Sequence, residues 1–287
     1  MFFPDTQGRV VVVGVDGSSQ ARIALRWAAE FAAHHRAPLH LVTAVEIPVD
    51  YGPGLSGPLF DGETLYAQGE SVVTEAAKQV PDGLLVSSAA EVGDARAVLR
   101  RRGESARLLV VGSRGLGALR RTLLGSVSTA VARHAVCPVA VVPETPVPPA
   151  GAVVVGVDGS ADSACAVALA FDEASRRGVR LIAVRAWSEF FRYEARATMQ
   201  AEAEAELSAS LAGYHEKYPD VRVERIVVED RPARALLTAA AGAQLIVVGS
   251  HGRGGAVNPA IGSVAQAVLH GAACPLVIAR PETSATV

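Results

Sequence analysis

The sequence predicts an α/β protein built from two tandem domains, each a doubly wound, five-stranded parallel sheet. Three observations predict it. The chain contains a long internal repeat, each copy alternates short apolar runs with amphipathic stretches, and a proline-rich joint separates the copies. The octapeptide Val11-Val12-Val13-Gly14-Val15-Asp16-Gly17-Ser18 returns letter for letter, 142 residues on, as Val153-Val154-Val155-Gly156-Val157-Asp158-Gly159-Ser160. Val110-Val111-Gly112-Ser113-Arg114-Gly115 is echoed 137 residues on by Val247-Val248-Gly249-Ser250-His251-Gly252, and Cys137-Pro138-Val139 by Cys274-Pro275-Leu276. The difference of five places extra residues in the first copy, in the loop after Glu46, where Pro48, Gly52, Pro53, Gly54, Gly57 and Pro58 cluster. A repeat this long is a whole domain rather than a solenoid unit. The boundaries fall at 1–145 and 151–287, on either side of a stretch from Pro143 to Gly151 with four prolines in nine residues, a stiff, extended joint.

In the first copy the apolar, β-branched run Arg9–Val15 reads as a strand. Ser18 or Ser19 caps a helix running to about His35. Strand follows at Leu39–Val45, helix at Gly62–Gln79, strand at Leu84–Ala89, helix at Asp94–Arg102 and strand at Leu108–Val111. Ser126–His134 reads as helix and Val139–Val142 as the last strand. The second copy follows the same order, with a long helix near Arg192–Tyr218. Continuous Val/Leu runs, rather than alternating ones, mark strands buried on both faces by crossover helices. Ligands of such sheets bind beyond the carboxyl ends of the strands.

Composition narrows the partners. A net charge of −2 with 20% charged residues offers no basic surface for nucleic acid or anionic membrane. No apolar run approaches the length of a membrane span, and Met1–Asp5 lacks the pattern of a signal peptide, so a cytoplasmic protein is expected. Cys137, Cys165 and Cys274 have neither disulfide-framework nor zinc spacing and read as reduced, mostly buried thiols. His34, His35 and His40 fit no metal pattern and read as surface or helix-end residues.

The chemistry is carried by glycines at the ends of strands. Gly112-Ser113-Arg114-Gly115 is followed by nine residues and then Gly125-Ser126-Val127-Ser128. The second copy has Gly249-Ser250-His251-Gly252, nine residues, then Gly262-Ser263-Val264. Glycines let a backbone turn sharply and approach a ligand closely. Gly125-Ser126 opens a helix, whose unpaired N–H groups and dipole favour an anion such as phosphate, and the hydroxyls of Ser126 and Ser128 are further donors. In the alternative reading the glycines only make tight turns and Ser126 only caps its helix. Asp16 and Asp158 end the first strand of each copy, placed to accept from a ribose hydroxyl or hold a phosphate-bound metal, or to act in turn and cap chemistry.

A first strand ending in Val-Asp-Gly-Ser, the Gly-2x-Gly-9x-Gly-Ser spacing and the Cys-Pro before the last strand together resemble the universal stress protein family, once per copy across nearly the whole chain. The resemblance is to its tandem, ATP-binding type. It implies a Rossmann-like fold of the adenine nucleotide alpha hydrolase kind, ATP as ligand with Mg carried through its phosphates, and no direct protein ligand to metal. Carried over by position, Asp16 meets ribose and phosphates, Ala44 meets adenine through its backbone, and Val111, Gly112, Gly115, Gly125, Ser126, Val127 and Ser128 surround ribose and phosphates. Asp158, Ala186, Val248, Gly249, Gly252, Gly262, Ser263 and Val264 are the second set. Ser128 is matched by Ala265, and the Arg120-Arg121 pair is lost from the second copy, so a weaker second site is expected.

No Gly-x-x-x-x-Gly-Lys loop and no base–nucleophile pattern argue for catalysis. His251, opposite Arg114, reads as a binding contact. The function expected is an ATP-binding stress or dormancy regulator with at most slow hydrolysis, acting on an unknown protein partner. The alternatives are a nucleotide-free interaction module and a slow ATPase timer. The apolar last strands Val139–Val142 and Leu276–Ala279 would be sheet edges. Exposed apolar edges are usually paired, here as an intramolecular pseudo-dimer with room for further homodimerisation. The segment 47–61 reads as a loop, with a lid or partner surface as the second choice.

Overall fold

The computed structural model describes residues 10–47, 61–115, 124–188, 195–253 and 261–281. The loop 48–60, the Arg120-Arg121 pair and most of both nine-residue connectors lie outside the described residues. By its contacts the chain divides into two units: Met1–Val131 with Ala135–Cys137, and Ala132–His134 with Pro138–Val287.

In the first unit the order is β1 Val10–Gly14, α1 Ser19–His35, β2 Leu39–Val45, α2 Gly62–Ala77, β3 Val86–Val92, α3 Ala95–Gly103, β4 Ala106–Gly112, and α4, Ser126–His134, whose last three residues count with the second unit. The strands lie in the order β3-β2-β1-β4, all parallel, with Val13 level with Leu41 on one side and Val110 on the other. Val11, Val12 and Val13 are fully buried, as a central parallel strand requires. The chain winds outward from β1 through β2 to β3, then returns to β4 on the other side. That reversal opens a crevice beyond Gly14 and Gly112.

The second unit runs β5 Val139–Val142, β6 Val153–Gly156, α5 Ala161–Arg177, β7 Leu181–Trp187, α6 Arg196–Ser210, α7 Tyr214–Lys217, β8 Val223–Glu229, α8 Pro232–Ala239, β9 Leu245–Gly249, α9 Ser263–Gly271 and β10 Leu276–Ala279. Its strand order is β5-β10-β9-β6-β7-β8. β5 belongs to the first repeat by sequence and to the second unit by contact. It runs antiparallel to β10, with Val277 opposite Ala140. β10 is therefore interior to its sheet, between β9 and β5, and not an edge. The long helix expected near Arg192–Tyr218 is two helices. The chain breaks between them at Gly213, whose φ of 78° lies in the left-handed region that ends helices.

The repeats use the same local devices. Ser18 caps α1 by accepting from the Ala21 N–H, and Ser160 caps α5 by accepting from the Ser163 N–H, both at 3.1 Å. Both helices end on a left-handed residue, Gly178 at φ 64° in one and Arg36 at φ 50° in the other. The joint is not a free spacer at its end. A turn closes from the Gly151 N–H to the Pro148 carbonyl, and Gln244 Nε2 donates to the carbonyls of Gly151 at 2.7 Å and Pro149 at 3.2 Å.

One residue departs from the sequence reading of the histidines. His40 is neither on the surface nor at a helix end. It sits inside β2, 7% exposed, with Nδ1 2.8 Å from Ser87 Oγ on β3. Burial, helped by Arg102 and opposed by Glu91, pushes its pKa down to about 4. Cys137 and Cys274 are buried as expected, while Cys165 is half-buried; burial pushes the Cys274 thiol up to about 12. Among the described residues no helix is long and apolar enough to cross a membrane.

Candidate functional site

In the second unit the topological reversal between β6 and β9 holds a cavity of about 370 Å³. This falls within the roughly 300–1,000 Å³ of small-molecule sites. All eight second-copy candidates, Asp158, Ala186, Val248, Gly249, Gly252, Gly262, Ser263 and Val264, line it. They come from the carboxyl ends of β6, β7 and β9 and from the start of α9, elements brought together only by the winding of the sheet.

The glycines have two different jobs. At Gly249 a Cβ would stand 2.8 Å from the backbone of Asp162 in α5, so the helix can approach the strand end only over a bare Cα. At Gly252 a Cβ would stand 2.6 Å from Asp158 Oδ2. The glycine loop thus folds directly onto the aspartate. The other oxygen of Asp158 is held by the Ser160 N–H at 2.9 Å and its hydroxyl at 2.6 Å. That fixes the rotamer and leaves Oδ2 beside the loop. Ser160, not Asp158, caps the helix.

α9 starts on Gly262, whose N–H donates to the Ser250 carbonyl at 2.7 Å, and no side chain caps it. Its first turn therefore presents main-chain donors at the cavity wall. Behind the loop, Asp162 Oδ2 accepts from Ser250 Oγ at 2.5 Å and the His251 N–H at 2.9 Å, with His251 Nδ1 at 3.4 Å. The carboxylate holds the loop in shape from outside the cavity. The arrangement can cradle an anion against main-chain N–H groups and offer a carboxylate to a hydroxyl.

The first unit repeats this frame. A Cβ on Gly115 would lie 2.6 Å from Asp16 Oδ2, and one on Gly112 would lie 3.2 Å from the Gln20 backbone. Asp16 Oδ1 accepts from the Ser18 N–H at 2.9 Å, and Gly125 donates to the Ser113 carbonyl at 2.7 Å. Asp16, Gly112, Gly115 and Gly125 are thus in place, with Val111 ending β4 and Ser126 and Val127 opening α4. Ala44 sits at the carboxyl end of β2, level with Glu91 of β3.

Ser128 plays a different part from that read in the sequence. It is 3% exposed, and its hydroxyl lies 2.9 Å from the Ser113 carbonyl and 3.0 Å from that of Gly125. From there it ties α4 to the glycine loop. Ala265, 2% exposed, has no hydroxyl with which to make that tie. The Ser128/Ala265 difference is thus a difference in how the helix is tied to the loop at a position that, in the second unit, lines the cavity.

Sequence reasoning passed over several lining residues: Val184, Arg185, Ser163, Pro232 and Leu236, and Arg253 just past the motif. One of them carries a readable signal. Arg185 interrupts the otherwise apolar strand Leu181-Ile182-Ala183-Val184-Arg185-Ala186-Trp187, where a charge needs a reason. Its Nη1 donates to the Ala186 carbonyl at 3.3 Å.

The fold and site define a tandem, doubly wound α/β protein with a glycine-built pocket at the switch point. The pattern of the universal stress protein family matches residues 8–143 and again 150–280, and the chain belongs to that family. Universal stress protein Rv2005c of Mycobacterium tuberculosis is 44% identical over 284 residues, covering 94% of this chain and 96% of that protein. Universal stress protein Rv2623 of the same organism is 42% identical over 287 residues, with the same coverage. Among solved structures, a universal stress protein from Archaeoglobus fulgidus shares the fold with a TM-score of 0.69 at 19% identity, covering 96% of this chain and 97% of that one.

Proposed function

We propose that this chain is an ATP-binding universal stress protein that acts as a nucleotide-dependent regulator rather than as a committed catalyst. The observation that carries the reading is the convergence of the eight second-copy residues on one cavity, with Asp158 Oδ2 pressed against Gly252. The residues present fit the ligand. Two bare glycine Cα atoms and the uncapped start of α9 suit phosphates, Asp158 suits a ribose hydroxyl, and the end of β7 offers main-chain groups to a base edge. Mg would enter with the phosphates. Asp162 is occupied by the loop itself, and His251 Nδ1 lies nearest that carboxylate and Ser250, which fits a loop-shaping role better than that of a base on a reacting group. Regulation would follow from whatever difference in affinity the ligand has for two conformations of the chain.

The test is to denature the purified full-length protein and identify and count the nucleotide released, then to measure binding of labelled ATP to the emptied, refolded chain. ATP at one or two per chain is expected. No released nucleotide and no binding at millimolar ATP would leave a pure interaction module as the reading. Phosphate release that is fast and abolished by Asp16→Ala and Asp158→Ala would instead make it an ATPase timer.

A further inference from the structure

A charged cluster outside the glycine motif borders the second-unit cavity. Glu206, on α6, bridges two arginines that line it, Arg185 at the end of β7 and Arg253 in the glycine loop. Glu206 Oε2 accepts from Arg185 Nε at 3.0 Å and Nη2 at 2.5 Å, and lies 2.6 Å from Arg253 Nη2. Arg253 also donates through Nε to the Asp158 carbonyl. Its Nη2 would stand 2.9 Å from a Cβ on Gly159. Four elements therefore meet at this point: α6, the end of β7, the glycine loop and the turn after β6. Burial disfavours charge on Glu206, but the hydrogen bonds from Arg253 and Arg185 outweigh it and hold the carboxyl below its ordinary range. It is ionised at neutral pH.

The first copy carries none of these three charges at the matching positions of its sequence. Thr43 precedes Arg185 by 142 residues and Leu116 precedes Arg253 by 137, while Val72 stands as far from the start of α2 as Glu206 from the start of α6. The cluster is thus particular to the second site, and it places an internal carboxylate on the guanidinium that follows the phosphate-ready loop.

We propose that Glu206 is a specificity-determining residue of the second pocket, an internal anion that holds Arg253 on α6 until the phosphates of a nucleotide displace it. This rests on the reading that phosphates enter this pocket. A ligand without phosphate leaves the Glu206–Arg253 pair intact and gains nothing from the arginine. A polyphosphate takes Arg253 over and must outcompete the carboxylate. Glu206 thereby lowers affinity for charged nucleotides selectively. The exchange also loosens α6, whose Gln200 accepts a hydrogen bond from Trp187 Nε1 at 2.8 Å.

The experiment is calorimetric titration of the full chain, emptied of nucleotide, with ATP and with adenosine. The wild type is compared with Arg253→Gln, Glu206→Gln, the double variant, and Glu206→Asp, which withdraws the carboxylate by one methylene. The site whose ATP affinity falls in Arg253→Gln is the second one. Glu206→Gln is expected to raise ATP affinity at that site about three- to tenfold, the scale of a partly exposed ion pair, and adenosine affinity by less than about twofold. Glu206→Asp should give a smaller gain of the same sign, and the gain should vanish in the double variant. An unchanged or reduced ATP affinity in both Glu206 variants, or a gain that survives in the Arg253→Gln background, overturns the proposal. A wild type that binds no nucleotide overturns the functional reading beneath it.

Discussion

Asp158 Oδ2 and the Cα of Gly252 are in direct contact, so closely that a Cβ on the glycine would stand 2.6 Å from the oxygen, and Asp16 and Gly115 repeat the relationship at the same distance. The motif's second glycine is fixed by the carboxylate and not by backbone torsion, since neither Gly115 nor Gly252 has a positive φ. Gly252→Ala should therefore turn Asp158 out of its bonds to Ser160. We expect nucleotide affinity at that site to fall at least about tenfold, the equivalent of roughly 1.4 kcal/mol. Titration calorimetry measures it, and undiminished affinity would break the link between this contact and binding.

Ser128→Ala separates structure from binding. The buried hydroxyl ties α4 to the Ser113 carbonyl, so its loss should cost the first unit about 1 kcal/mol in urea unfolding. Nucleotide affinity at the first site should change less than about twofold. A large loss of affinity with unchanged stability would return Ser128 to the role of ligand donor.

Arg36 ends α1 at φ 50°, where the second repeat has Gly178 at φ 64°. A side chain in the left-handed region is strained by roughly 1–2 kcal/mol, and glycine is not. Arg36→Gly should stabilise the first unit by roughly 0.5–1 kcal/mol, the unfolded chain's added freedom offsetting part of the relief. A denaturant midpoint that moves down would contradict it.

His40 makes stability depend on pH. Its folded pKa of about 4 lies below the ordinary 6.5, so the unfolded chain binds more protons between these values. The contribution is complete above about pH 6.5 and is lost as pH falls towards 4. We expect the wild type to lose about 2 kcal/mol more than His40→Gln over that window, read from unfolding curves at each pH. Parallel curves for the two proteins would show that the imidazole takes up its proton at the same pH folded as unfolded.

Much of this architecture was legible in the chain because buried parallel strands are written as unbroken apolar runs. Leu39–Val45 and Val139–Val142 begin and end where the run does, and α4 lies between its glycine and its last basic turn. The glycine spacing was legible because both strand ends need bare Cα atoms. The rest depends on distances that sequence does not carry. Ser128 looks like a ligand donor until the Ser113 carbonyl is found 2.9 Å away. Arg185, Glu206 and Arg253 are widely spaced in sequence and meet only after the sheet is wound. His40 reads as surface until β2 is seen to lie between β1 and β3.

The pairing of β5 with β10 has a practical and a historical side. The stretch that was copied ends after Val142, yet the sheet of the second unit is complete only with Val139–Val142 laid against Leu276, Val277 and Ile278. The unit of duplication and the unit of folding are thus out of step by one strand. Dissecting the chain at its proline-rich joint would strip β10 of a neighbour and bare a row of main-chain donors and acceptors between apolar side chains. Such a fragment would recruit a strand from another copy of itself, and its association state would report on the cut rather than on the native protein.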